Sequence, residues 1–223
     1  MIKLIALLTM LVDHIGITIF PQALGFRVIG RVSMPLFAYC IARGFYYSKQ
    51  HDTVHKYILN MLIFALVSQL PYCLMVGEGL NIGFTWLISL LLLSIFTTEN
   101  LKNNKAIGMA SIALLIVTTG ATNLLPVDYG VYGVITPLLF YCLMARDKES
   151  TMNYVLILLI GWAIYALINK GSAGSMVQLI SVASAAILAV SKKRDEKIKL
   201  PKWLCYSFYP AHMALLMLIR YVF

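Results

Sequence analysis

Charge is scarce in this chain of 223 residues: only 12% of it is charged, whereas 61% is hydrophobic. With a mean hydropathy of +0.84, it has too little polar surface to clothe a core in water, which excludes a soluble globular domain. Cysteine is also sparse. Cys40, Cys73, Cys142 and Cys205 fall in four separate apolar runs with no CxxC or Cys/His spacing, so neither a disulfide framework nor a zinc site is expected, and no metal is assigned. A glycine-rich phosphate loop, a low-complexity tract, an internal repeat and a soluble appendage are all missing. The net charge of +9 does not point to nucleic acid, because the basic residues are divided among short loops beside apolar runs. There they orient a chain in a bilayer and meet anionic lipid.

What the chain has is apolar length. Runs long enough to span, roughly 17 to 25 residues each, lie at about 2–20, 26–47, 57–76, 82–97, 106–125, 130–145, 152–169, 174–190 and 203–222. The expected fold is therefore an all-α integral membrane protein, a single polytopic domain over 1–223 with about nine transmembrane helices. The first run lacks a small-residue cleavage site and carries Asp13-His14 where a secretory signal is purely apolar, so it reads as a retained helix. Lys3, Lys49, Lys56, Lys102, Lys105, Arg146, Lys148 and the 192–197 loop fall at every second connection. The positive-inside rule then puts the N-terminus in the cytoplasm and the C-terminus outside.

An ionisable pair at bilayer depth costs several kcal/mol by most estimates and persists where it has a partner or a task. At 1.5 Å rise per residue, His14 and His212 lie roughly 15 to 17 Å beyond Lys3 and Lys202, so both sit near the mid-plane. His51 and His55 belong to a solvated loop. Arg27 and Arg31 share a helix face near the outer end of the second span, with Arg43 near its inner end. Asn81 and Thr85 open the fourth span from outside, and Asp128-Tyr129-Gly130 turns into the sixth. The expected site is an outward-leaning polar cavity where Asp13, His14, Arg27, Arg31, Asn81, Thr85, Asp128 and His212 converge. Plainer roles exist for several of these. Arg27 suits a snorkelling anchor, Asp13 a structural partner of Arg31, Asp128 a cap, and Asn81 and Thr85 interhelical hydrogen bonds. The small-residue stretch 171–189 suits close helix packing.

Taken in order, Ala6-Leu7-Leu8-Thr9-Met10-Leu11-Val12-Asp13-His14-Ile15-Gly16, Phe20-Pro21, Arg27-Val28-Ile29-Gly30-Arg31 through Pro35-Leu36-Phe37-Ala38, Asn81-Ile82-Gly83-Phe84-Thr85, Asp128-Tyr129-Gly130-Val131-Tyr132-Gly133 and Ser207-Phe208-Tyr209-Pro210-Ala211-His212 resemble the TraX family from end to end. The resemblance implies a multi-pass acyltransferase of the bacterial cytoplasmic membrane, of the broad clan that includes the acyltransferase-three and lysosomal glucosaminide acetyltransferase families. It further implies cytosolic acetyl-CoA or another acyl-CoA as cosubstrate and an acceptor amine or hydroxyl, on a peptide N-terminus or on a small molecule or glycan, at the membrane or its outer face.

On that expectation His14 is a general base, supported by Asp13 or Asp128, and His212 polarises the thioester carbonyl or carries a second proton. Successive helical residues point about 100° apart, so Asp13 is free to face a neighbour instead of His14. Arg27, Arg31, Asn81, Thr85, Tyr129 and Tyr209 are assigned to the acceptor, Arg31 and Arg27 neutralising negative charge in a low-dielectric site. Arg43 and the inner lysines suit coenzyme A phosphates. An acyl-histidine relay is a further route. The rival reading is a proton-coupled transporter, since Asp/His pairs also build proton relays, although the paired halves typical of transporters are absent from the sequence.

Overall fold

A computed structural model of the chain describes residues 2–97, 127–145, 181, 184 and 200–222. Seven helices fall in these segments: α1 Ile2–Thr18, α2 Leu24–Gly30, α3 Ser33–Gln50, α4 Val54–Val76, α5 Ile82–Phe96, α6 Gly130–Ala145 and α7 Lys202–Val222. Among the described residues there is no strand, only an isolated bridge between Leu80 and Val127. The spans expected at 106–125, 152–169 and 174–190, apart from Ser181 and Ser184, lie outside the described residues, as do Lys102, Lys105 and the 192–197 loop.

The second expected span, 26–47, is corrected: it is two helices with a break at Arg31–Val32. Pro35 is the physical cause. In a continuous helix its ring would strike the carbonyl of the residue four before it, Arg31, whereas in the first turn of a new helix its missing N–H removes no bond. The backbone tightens at the junction, the Val32 N–H reaching the Ile29 carbonyl at 3.2 Å. Elsewhere the ends follow local chemistry. Gly77, at φ +101°, closes α4 in a left-handed conformation. Asn81 caps α5 with its side-chain oxygen 2.8 Å from the Gly83 N–H.

The bundle is apolar outside and holds a set of buried polar side chains within a largely apolar core. On α4 the side chains of Leu59, Ile63, Leu66, Leu70 and Leu74, spaced three or four apart, are exposed, Leu70 to 72%. The buried set includes Asp13, Thr18, Ser33, Ser68, Asn81, Thr85, Ser89, Thr136 and His212. This inversion suits a lipid surround, where exposed leucine costs nothing and polar groups must find partners inside. The stretches Leu24–Gln50 and Val54–Val76 are long and apolar enough to cross a membrane.

The described helices share two ends. Lys49 Nζ donates to the Thr97 carbonyl, joining the ends of α3 and α5, and Lys3, His51, Lys56 and Lys202 surround one cavity mouth. That basic end gathers the starts of α1, α4 and α7. At the opposite end lie Arg27, the turn before Asn81, and Asp128, whose N–H donates to the Leu80 carbonyl at 2.9 Å.

A candidate catalytic site between two cavities

Among the described residues, two cavities enter the bundle. The larger, about 490 Å³, opens at the basic end beside Lys3, His51, Lys56 and Lys202. The smaller, about 160 Å³, takes Asp13, His14, Arg27, Arg31, Asp128, Tyr129 and Tyr209 into its wall beside apolar side chains. Met10, Phe37, Trp86 and Tyr209 belong to both walls, so a septum of side chains separates the two spaces.

At the centre stands a histidine pair. Nδ1 of His14 lies 2.6 Å from Nε2 of His212. The ring planes are within 12° and the centroids 4.8 Å apart, close to the largest separation that so short an N···N contact allows. The rings therefore meet edge to edge in nearly one plane, the geometry of an N–H···N hydrogen bond. Its direction follows from the next partner. Nδ1 of His212 is 2.5 Å from the Phe208 carbonyl, which can only accept, so His212 carries its proton on Nδ1 and offers Nε2 as acceptor. The proton between the rings then sits on His14 Nδ1. What remains is a bare lone pair on His14 Nε2, backed by two hydrogen bonds that would disperse positive charge if a proton arrived there. The His14 carbonyl in turn accepts from Thr18 Oγ1 at 2.6 Å.

Asp13 points away from His14. Its Oδ1 accepts from Arg27 Nη1 at 3.1 Å, so its partner is Arg27, not His14 and not Arg31. Gly30 is packed so tightly over this pair that a Cβ there would overlap the Asp13 carboxylate. Arg31 donates from Nη1 to the Tyr129 hydroxyl at 2.9 Å and stands over the Tyr129 ring, 5.3 Å from its centroid. Tyr129 holds this position at φ +59°, a left-handed conformation that is costly for an aromatic residue and marks a constrained turn. Arg31 Nε is buried without a partner among the described residues. In the same turn, burial pushes the Asp128 carboxyl up to about 6, against the opposing pull of Arg31.

Three expected site residues stand elsewhere. Asn81 and Thr85 are wholly buried, at 0% exposure, and line neither cavity. Asn81 Nδ2 donates to the Ala65 carbonyl and to Gln69 Oε1, each at 2.8 Å, and Thr85 Oγ1 donates to the Asp128 carbonyl at 2.8 Å. They join α4, α5 and the turn before α6, so the interhelical role is the one the geometry gives them. Arg43 also lines neither cavity and lies over the Tyr47 ring, 5.6 Å from its centroid. The basic mouth is made by Lys3, Lys56 and Lys202 instead. Conversely, Met10, Phe37 and Trp86 were not expected at the site. Each is an apolar residue in an apolar run, so its spacing carries no signal.

The comparisons with known proteins bear on the whole chain. The model of the family described as TraX protein matches residues 1–220. A probable fimbrial assembly protein, FimC of serogroup H1, from Dichelobacter nodosus is 25% identical over 240 residues, covering 96% of this chain and 92% of that protein. The uncharacterized protein RP591 of Rickettsia prowazekii (strain Madrid E) is 37% identical over 46 residues, 21% of this chain and 18% of that protein. No solved structure matches significantly. With 220 of its 223 residues under one family model, a lipid-suited exterior and an ordered set of polar residues at its centre, this membrane protein belongs to the TraX family.

Proposed function

We propose that the protein is a multi-pass acyltransferase of the bacterial cytoplasmic membrane that moves an acyl group, acetyl in the simplest case, from acyl-CoA to an amine or hydroxyl at the outer face. The observation that carries this reading is the His14–His212–Phe208 relay, which leaves one imidazole nitrogen unprotonated beside a septum shared by two cavities. By the positive-inside rule the basic end is cytoplasmic. Its cavity suits an acyl-pantetheine arm, with Lys3, Lys56 and Lys202 at the mouth for the nucleotide phosphates. The outer cavity, about 160 Å³, admits the end of a chain or the edge of a sugar. The family and the fimbrial relative favour the N-terminal amine of a small secreted subunit as acceptor.

In this reading His14 Nε2 takes the proton from the acceptor as its nitrogen or oxygen attacks the thioester carbon, and His212 and the Phe208 carbonyl share the resulting charge. When the C–S bond breaks, the sulfur recovers that proton from His14 and leaves as the thiol. Arg27 and Arg31 hold the acceptor's polar end, Asp13 keeps Arg27 in place, and Tyr129 keeps Arg31. The test is release of coenzyme A thiol from acetyl-CoA in proteoliposomes, compared between the parent protein and His14→Ala. Release that depends on His14 is expected. Proton flux without thiol release would replace this reading with that of a transporter.

A further inference from the structure

Trp86 is buried, 5% exposed, on α5. Its indole lies against Phe37, ring centroids 5.7 Å apart, and belongs to the walls of both cavities. Its Nε1–H is out of contact with solvent and has no hydrogen-bond partner among the described residues. Tryptophan usually reaches a partner when buried, and an orphaned donor destabilises the fold. Phenylalanine would fill the same apolar site without that cost. An orphan donor in the one layer of side chains between the two cavities has a function if its partner arrives with a substrate.

We propose that the Trp86 indole N–H is the donor that holds the carbonyl oxygen of the transferred acyl group, a role that rests on the acyl-transfer reading above. An acyl group passing from the basic cavity to an acceptor in the outer one must cross the septum, and its carbonyl is a pure acceptor. At rest the indole N–H is covered, and an acyl group that parts the septum uncovers it; as the acceptor nitrogen or oxygen bonds to the carbonyl carbon, the C=O electron pair moves onto oxygen, and the N–H, in an apolar surround, meets the growing negative charge. Collapse restores the carbonyl, breaks the C–S bond and releases the thiol with the proton held by His14. No redox partner or metal enters the balance. Arg31 Nε, orphaned on the outer wall, is the donor left for the acceptor's own oxygen.

The test replaces Trp86 with benzothienylalanine, which keeps the fused ring and substitutes sulfur for the N–H, and separately makes Trp86→Phe. Acetyl-CoA is the donor, with trialanine and water as probe acceptors, in proteoliposomes. Expected for the benzothienyl variant is a fall in kcat of about 100-fold, with the KM for acetyl-CoA and the melting temperature unchanged. A merely structural indole would leave kcat intact in that variant and lower the melting temperature in Trp86→Phe. His14-dependent thiol release in the parent protein together with full kcat in the benzothienyl variant would overturn the role of Trp86 and leave acyl transfer standing. Absence of His14-dependent release with both acceptors would overturn the two together.

Discussion

The two histidines are unequal partners despite their common hydrogen bond. His14 presents the free nitrogen to the outer cavity and His212 only orients it, so the consequences of losing each differ. His14→Ala should lower kcat/KM about a thousandfold, in the range of an absent general base. His212→Ala should cost about 100-fold, because His14 then loses the acceptor that holds its proton on Nδ1. Nitrogen-15 chemical shifts of the His14 ring provide a check independent of turnover: Nδ1 protonated in the parent, a tautomer mixture in His212→Ala. Asp128 gives a pH signature. Its folded pKa of about 6 lies above the ordinary 3.8, so its contribution to stability is present in full below about 3.8 and is lost as pH rises through 6. Between pH 7 and pH 5 the detergent-solubilised protein should gain about 1 kcal/mol relative to Asp128→Asn; equal pH slopes in the two proteins would show that Asp128 is well solvated. The common level of His14 and His212 was legible from their distances to Lys3 and Lys202, since a helix converts count into length. The pairing of Asp13 was half legible. Angular spacing detached it from His14, but the choice of Arg27 over Arg31 depends on how residues 19–23 turn back, and nothing in the apolar pattern specifies that turn.

Helix ends were read well wherever local chemistry marks them: 82–97 was expected against Ile82–Phe96, and 130–145 against Gly130–Ala145. The break between α2 and α3 was missed although its cause, Pro35, was in view, because hydropathy runs unbroken through Arg31. That break has a measurable effect. Pro35→Ala removes the ring that blocks the Arg31 carbonyl, so α2 and α3 should tend toward one continuous helix and Arg31 should turn from Tyr129. The KM for the acceptor should rise while that for acetyl-CoA stays near the parent value; an unchanged acceptor KM would assign the break to packing alone. Asn81 makes the opposite case. Its side chain holds α4 to α5 and caps α5, so Asn81→Ala should destabilise the protein by about 2–3 kcal/mol through buried groups left unpaired, without altering either KM in the fraction that remains folded. A raised acceptor KM there would restore the substrate contact first expected of Asn81.

At the scale of the molecule, an apolar coat around a few buried polar groups follows from one composition: 12% charge cannot cover the outside, and Asp13 lies buried within. Reporters fused between Lys49 and Lys56 should read cytoplasmic and those near Gly77 and Asp128 external; an external reading at Lys56 would invert the assignment of the basic cavity to coenzyme A. The septum of Met10, Phe37, Trp86 and Tyr209 has an electrical consequence. Where water-filled cavities enter a bilayer from both faces, the membrane voltage falls mainly across the thin layer of side chains between them. In the proposed transfer a proton leaves the acceptor on the outer side of that layer and ends on the thiol at the inner side, so one elementary charge traverses most of the field. An inside-negative potential should therefore assist the reaction by up to about 2.3 kcal/mol per 100 mV. Energised vesicles should turn over faster than depolarised ones at the same substrate concentrations, so that the resting voltage of the cell acts as a driving force for a reaction that transports no ion for its own sake.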